Sequence, residues 1–465
     1  MNHENPALIR WIFVLGLGIA LVMIYRSQVE GDALSLLTKG YLFAEWEIWV
    51  PFGNPVAKSA GGYVPGGFTA LLVGLPLKLW MDHRAPTLLI LLGHVIAYVL
   101  MDRVVAETLG SRARVVLAIL YWLNPWRLYQ SGWLDNSNYV FLTGAIHAWA
   151  CFRQRSKPSW LHSALLVTAI GLTVQLHLCA VLLVVATVLL WWRGYSKPHW
   201  TGIALGVLIT GVSLIPWFVE AFRQPEIVPG GNGTLGNSLL QAWPVFKGAA
   251  YWLRYASLYT SHGMNVYDFT PTFGATADGL LTPLFKSLGL GLLILTLIPV
   301  LLANVRWVRE HCRSAEDLTG RGWIRGYAIW VLAATIISNA LSPSSPMWWY
   351  NLIILHAAVV PMVMWFDAAL SGPRASLAYK GLTAWAVLSV LLLLGMAFGS
   401  EQYRNGGRGA WGWTLPRNDR VVMDLNLTRF GVTIDPKQGT YPYNNDYFYQ
   451  TYVVPFELPP PSPGF

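Results

Sequence analysis

Two carboxylates, Glu30 and Asp32, stand a few residues beyond the first long apolar run of a 465-residue chain, and Lys58 follows in the same polar segment. A carboxylate in that position can take a proton from a hydroxyl. A guanidinium holds phosphate oxygens through a two-pronged fork, and an ammonium holds them as a point charge. A second polar segment supplies Arg254 and His262. These are the parts needed to deprotonate a hydroxyl while negative charge develops on a departing phosphate. Each also has an ordinary role: Asp32 precedes the helical stretch 33–37 and is a competent N-cap, and long basic side chains reach lipid head groups readily.

The elements that carry these residues belong in a bilayer. The chain is 54% hydrophobic and 12% charged, against about 25% charged in soluble proteins. Its 24 Trp and 21 Tyr suit interfacial belts. The net charge of +9 is read as basic loops on one side of a membrane, so no nucleic-acid partner is expected. Cys151, Cys179 and Cys312 form no paired framework, and neither a disulfide nor a cysteine metal site is expected. HExxH, CxxC and GxSxG are absent, and the run GGNGTLG lacks the Gly-Lys-Ser/Thr ending of a phosphate loop.

The first apolar run, 11–24, is read as a retained span rather than a signal peptide, because no small-x-small cleavage motif follows it. Further spans are expected near 86–106, 113–131, 135–152, 159–174, 175–192, 200–219, 284–304, 324–342, 350–370 and 378–398. The run 67–80 is too short for a full span and is read as a juxtamembrane or re-entrant helix. Arg103, Arg112, Arg114, Arg153, Arg155, Arg193, Arg306, Arg321 and Arg374 fall in alternate loops, whereas the short loops opposite hold no Lys or Arg. Basic loops mark the cytoplasmic side. The expected fold is therefore an all-α polytopic membrane protein of about eleven transmembrane helices, within ten to thirteen, with juxtamembrane helices in the first extracytoplasmic loop. The N-terminus is inside, and segments 26–85, 220–283 and 399–465 are outside. Segment 220–283 reads as a long loop without clear helices. Arg127 and Asp135 flank the 126–133 junction, and Gln175 and His177 sit at membrane depth, where polar groups are expensive and face the bundle interior.

The order of features resembles a known family. An acidic residue after the first span is followed by GGYVPGGFTALLVGLPLKLW, then LNPWRLYQSGWLDNSNYVFL at a span–loop–span junction, then TVQLHLCAVLLVVATVLLWW. This is similar to the bacterial relatives of protein mannosyltransferases and aminoarabinose transferases, in the C-type (GT-C) class of membrane glycosyltransferases; the likeness covers roughly 11–192. Where that family often has adjacent Asp-Glu, this chain has Glu30-Gly31-Asp32, which leaves both carboxylates as candidates for the base.

The resemblance implies a GT-C-like catalytic domain over 1–398 and a small extracytoplasmic tail over 399–465, in a bacterial inner membrane with the C-terminus periplasmic. It implies transfer of a hexosyl or pentosyl group from a polyprenyl-phosphate carrier to a glycan, lipid or protein acceptor. Asp32 or Glu30 would be catalytic, and Lys58, Tyr63, Asp135, Gln175, His177, Arg254 and His262 would bind substrate. No cofactor is expected, and a divalent metal is not indicated. Two other classes fit the composition. A transporter or flippase of lipid-linked saccharides would place charges near the midplane in two similar halves; a polymerase would use arginines in a large late loop.

Overall fold

The computed structural model describes residues 6–27, 32–56, 61–229, 242–258, 269–313, 318–342 and 347–399. Two helices precede a small sheet: α1 (Pro6–Arg26) and α2 (Asp32–Trp46), then β1 (Phe52–Pro55) and β2 (Tyr63–Pro65), paired antiparallel. Next come α3 (Phe68–Leu79), α4 (Arg84–Leu109), α5 (Ser111–Leu117), a π-helical turn (Ala118–Trp122) and α6 (Pro125–Gln130). A 3-10 turn (Asn136–Tyr139) leads into α7 (Val140–Arg153), followed by α8 (Trp160–Val174), α9 (Ala180–Trp192), α10 (Trp200–Arg223) and α11 (Ala242–Tyr255). The chain continues through α12 (Thr270–Phe273), α13 (Ala275–Arg313), α14 (Gly320–Ala340), a 3-10 turn (Trp348–Ile354), α15 (Leu355–Ala358), α16 (Val360–Ser371) and α17 (Ala375–Gly399).

Six helical segments among the described residues are long and apolar enough to cross a membrane: Pro6–Arg26, Arg84–Leu109, Trp200–Arg223, Ala275–Arg313, Trp349–Ser371 and Ala375–Gly399. Three shorter apolar helices, Phe68–Leu79, Trp160–Val174 and Ala180–Trp192, stand among them. The protein is a multi-pass membrane protein. Helix α10 shows why lipid is its solvent: Val207, Leu208, Val212 and Ile215 are all exposed. Its one packed face follows a Gly-x-x-x-Gly spacing. A methyl at Gly202 would strike the Trp160 carbonyl and one at Gly206 the Ala164 carbonyl, so the small residues let α10 lie directly on α8.

The structure departs from the sequence expectation in three places. The expected span 113–131 is broken: Asn124 caps a new helix by accepting from the Trp126 and Arg127 amides, and Pro125 opens it. The preceding π turn leaves the Trp122 carbonyl to be satisfied by Arg127, whose Nε donates to it at 3.0 Å. Segment 220–283 is not a loop without helices: α10 runs on to Arg223, α11 fills 242–255 and α13 begins at Ala275. The first polar segment holds a two-stranded sheet inside an otherwise helical fold.

Helix α11 also enters the bundle. Trp252 donates its indole N–H to Asn304 of α13 at 2.9 Å, Gly248 packs on Asn339 of α14, and Asn124 donates to the Tyr255 carbonyl at 2.7 Å. The spanning helices leave two dissimilar ends. One carries Arg112, Arg114, Arg153, Arg155, Arg321 and Arg374 and is called the basic end. The other carries the sheet, α3 and the turns at 130–139 and 174–179, and is called the loop end.

Candidate functional site

Three turns meet at the loop end. The first follows β2, where Gly66 adopts a positive φ of 87°, a conformation open to glycine at little cost. The second is the α8–α9 connection carrying Gln175. The third is the Asp135–Tyr139 turn. Gly66 lies directly against the Gln175 side chain, with no room for a Cβ between them. Thr69 donates to the Gln175 carbonyl at 3.2 Å, and Asn136 donates to the Leu176 carbonyl at 2.9 Å. The Trp49 indole closes the first turn by donating to the Gly67 carbonyl at 2.8 Å.

The orientation of the Gln175 amide follows from its neighbours. Ser213 gives its hydroxyl hydrogen to the Thr210 carbonyl at 2.7 Å, so its oxygen can only accept, and Gln175 Nε2 donates to it at 2.7 Å. The amide oxygen therefore faces the Gly66 turn, where it is buried without a hydrogen-bond donor among the described residues. Asp135 caps the 3-10 turn, accepting from the Ser137 amide at 2.8 Å and the Ser137 hydroxyl at 2.7 Å. It remains half-buried. His177 is half-buried, accepts the Cys179 amide on Nδ1 at 3.1 Å, and lies 5.3 Å from the Tyr350 ring.

Tyr63 is buried on the hairpin, its ring 4.5 Å from Phe52. Beneath it is Lys39, a side chain that sequence reasoning passed over. Lys39 is fully buried, donating to Ser35 Oγ at 3.0 Å and the Gly53 carbonyl at 2.9 Å, with its ammonium 6.0 Å from the Tyr63 ring. It fastens α2 to the sheet. Asp32 is the first residue of α2, and 57–60 lies between the two strands. The expected residues Glu30, Lys58 and His262, and the Asp32 side chain, fall outside the described residues.

Arg254 stands apart from these turns. It sits on the part of α11 that enters the bundle, stacked between Trp126 at 5.5 Å and Tyr251 at 5.3 Å. Arg127 and Asp135, expected to flank one junction, serve separate roles: Arg127 is fully buried on the carbonyl and ring of Trp122, while Asp135 holds its own turn.

A second set of polar contacts ties the membrane helices together at this end. Arg26, at the end of α1, donates Nε to the Ala397 carbonyl of α17 at 3.0 Å and Nη2 to Thr272 at 2.7 Å. His83 faces Ser27 across a 3.3 Å contact to its carbonyl and lies 3.3 Å from Asp82, which also accepts from Arg84 Nε at 2.8 Å. Burial pulls the His83 imidazole down to about 4. Burial alone would raise the Asp82 carboxyl, but the Arg84 side-chain hydrogen bonds and the charge of His83 outweigh it and hold it below its ordinary value. Sequence reasoning missed Arg26 and His83 because isolated basic residues at span ends read as head-group contacts.

No family model matches the chain, and no curated protein matches it. Among solved structures, it is similar to the crystal structure of ArnT from Cupriavidus metallidurans bound to undecaprenyl phosphate, at 15% identity and a TM-score of 0.49, over 92% of this chain and 77% of that one. The apo structure of the same ArnT is similar at 13% identity and a TM-score of 0.47, over 84% of this chain and 76% of that one.

Proposed function

We propose that this protein is a membrane glycosyltransferase that moves a sugar from a polyprenyl-phosphate carrier to an acceptor hydroxyl on the extracytoplasmic face. The observation that carries the reading is the junction of the Gly66, Gln175 and Asp135 turns at one end of the bundle. That junction joins the three stretches on which the resemblance to GT-C enzymes rests, stretches far apart in sequence.

In this reading Asp32 takes the proton of the acceptor hydroxyl, with Glu30 as the second candidate. The hydroxyl oxygen attacks the anomeric carbon, the bond from that carbon to the phosphate oxygen breaks, and the polyprenyl phosphate leaves with the electron pair. Lys58, Arg254 and His262 are the candidates to hold the departing phosphate. Tyr63, Asp135, Gln175 and His177 shape the sugar-side wall. Residues 1–398 form the catalytic body and 399–465 an extracytoplasmic tail, with the basic end facing the cytoplasm of a bacterial inner membrane.

Incubating the purified protein with radiolabelled polyprenyl-phosphate sugars tests the reading. Release or transfer of labelled sugar with formation of polyprenyl phosphate is the expected result. Absence of both across hexosyl and pentosyl donors, with membrane lipids and glycans supplied as acceptors, would contradict it.

A further inference from the structure

Arg127 brings a full positive charge into the interior of the bundle, where it is 0% exposed. Its Nε and Nη2 both donate to the Trp122 carbonyl, and its guanidinium carbon lies 3.9 Å from the centre of the Trp122 ring. The third nitrogen, Nη1, is buried with no hydrogen-bond partner among the described residues, and no carboxylate there pairs with the guanidinium. A buried charge left unanswered is strongly destabilising. Charged side chains within a membrane fold almost always have a partner.

Two hydroxyls beside Arg127 are in the same condition. Tyr98 of α4 packs on Trp122 with ring centres 5.3 Å apart, and Tyr121 precedes Trp122 in the π turn. Both hydroxyls are buried with no hydrogen-bond partner among the described residues, and the charge of Arg127 acts on both. The other titratable groups on this face of α4 do not answer that charge. His94, one turn before Tyr98, gives its Nε2 hydrogen to the Asn138 carbonyl at 2.9 Å and carries no negative charge. Asp102, one turn after Tyr98, is held by Arg114 through Nε at 2.9 Å and Nη2 at 2.7 Å. Nη1 has only hydrogens to give, and each tyrosine brings one more.

We infer that Arg127 Nη1 and the hydroxyls of Tyr98 and Tyr121 bind a chloride-sized monovalent anion inside the bundle, between α4 and the π turn. A water molecule would accept these hydrogens and still leave the guanidinium uncompensated, whereas an anion does both. Tyr121, Trp122 and Arg127 are 0% exposed and Tyr98 is 4% exposed, so the enclosure favours a halide over phosphate or a carboxylate. None of the proposed transfer residues belongs to this cluster, and the inference stands or falls independently of the glycosyl-transfer reading.

Thermal unfolding of the purified protein in a neutral detergent reads the site without an activity assay, with sodium chloride exchanged for sodium gluconate at one ionic strength. The unfolding temperature should rise saturably with chloride, as binding to the folded state requires. Tyr98→Phe and Tyr121→Phe keep the rings, and each should raise the chloride concentration needed for half the effect about tenfold, the loss of one hydrogen bond to a charge. Arg127→Gln should abolish the response, and the tyrosine variants decide the matter if that variant does not fold. Arg374→Gln, exposed at the basic end, should keep the parental response. Equal unfolding temperatures in chloride and gluconate, a parental half-effect concentration in either tyrosine variant, or an equal loss in Arg374→Gln would each overturn the inference.

Discussion

Gly66 and Gln175 are fitted to each other: the glycine has a positive φ of 87° and a Cβ there would overlap the Gln175 side chain. Gly66→Ala should therefore be destabilising twice over, through backbone strain and through the clash, by about 1–3 kcal/mol. Gly61 also has a positive φ, of 62°, but a Cβ there meets nothing among the described residues, so Gly61→Ala separates strain from contact. Thermal unfolding of the two variants in detergent measures the difference, and equal losses would mean that the contact with Gln175 contributes nothing.

The approach of α10 to α8 makes a second prediction. Gly206→Leu forces a side chain against the Ala164 carbonyl and Val167, whereas Gly211, on the same helix, has open space where a Cβ would lie. Overpacking of this kind costs about 1–3 kcal/mol. The unfolding temperature should fall for Gly206→Leu and hold for Gly211→Leu; the same change in both would place the effect outside the helix interface.

The His83 tether gives a pH dependence of known sign. Its folded value of about 4 lies below its ordinary 6.5, so between those values the unfolded chain binds more protons than the folded one. The stability contributed by neutral His83 is complete above pH 6.5 and is lost as pH falls toward 4. Asp82, whose value is also depressed, contributes above about its ordinary 3.8 and loses that contribution only below it. Unfolding temperature recorded from pH 7 to pH 4 should fall steadily, and less steeply for His83→Gln. Identical slopes would show that the imidazole is not the group responsible.

Topology is tested with single cysteines in a background lacking Cys312, the exposed native thiol. Glu47, at the loop end with 85% of its side chain exposed, should label from outside intact cells when replaced by cysteine. Lys157, exposed at the basic end, should label only after permeabilisation. The reverse pattern would invert the proposed orientation and put the candidate site in the cytoplasm.

Much of this architecture was legible in the chain. The expected span 159–174 corresponds to Trp160–Val174, 378–398 to Ala375–Gly399, and the short 67–80 run to Phe68–Leu79, because apolar length is the dominant signal in lipid. The break at Asn124-Pro125 was hidden by hydropathy, which registers a continuous apolar run, although an Asn cap before Pro is itself a helix start. Helix α11 was hidden for the opposite reason. Its Trp, Tyr and Gly content suggests an interface, and only its packing on Asn304, Asn339 and Asn124 shows where it goes. Lys39 was unreadable from sequence, since beyond Ser35 on its own helix its partner is the Gly53 carbonyl of the sheet, brought to it by folding.

The proposed sugar transfer turns on a first-segment carboxylate acting as its base. The most direct measurement is single-turnover transfer from a radiolabelled polyprenyl-phosphate sugar by Asp32→Asn, Glu30→Gln and the double variant, with donor binding followed in parallel. Each substitution keeps size and hydrogen bonding, and Asn caps a helix as well as Asp does, so folding and donor binding should persist. The account predicts that one single variant and the double variant lose transfer by about 10²–10⁴-fold, the usual contribution of a general base. Transfer at the parental rate by the double variant would contradict it.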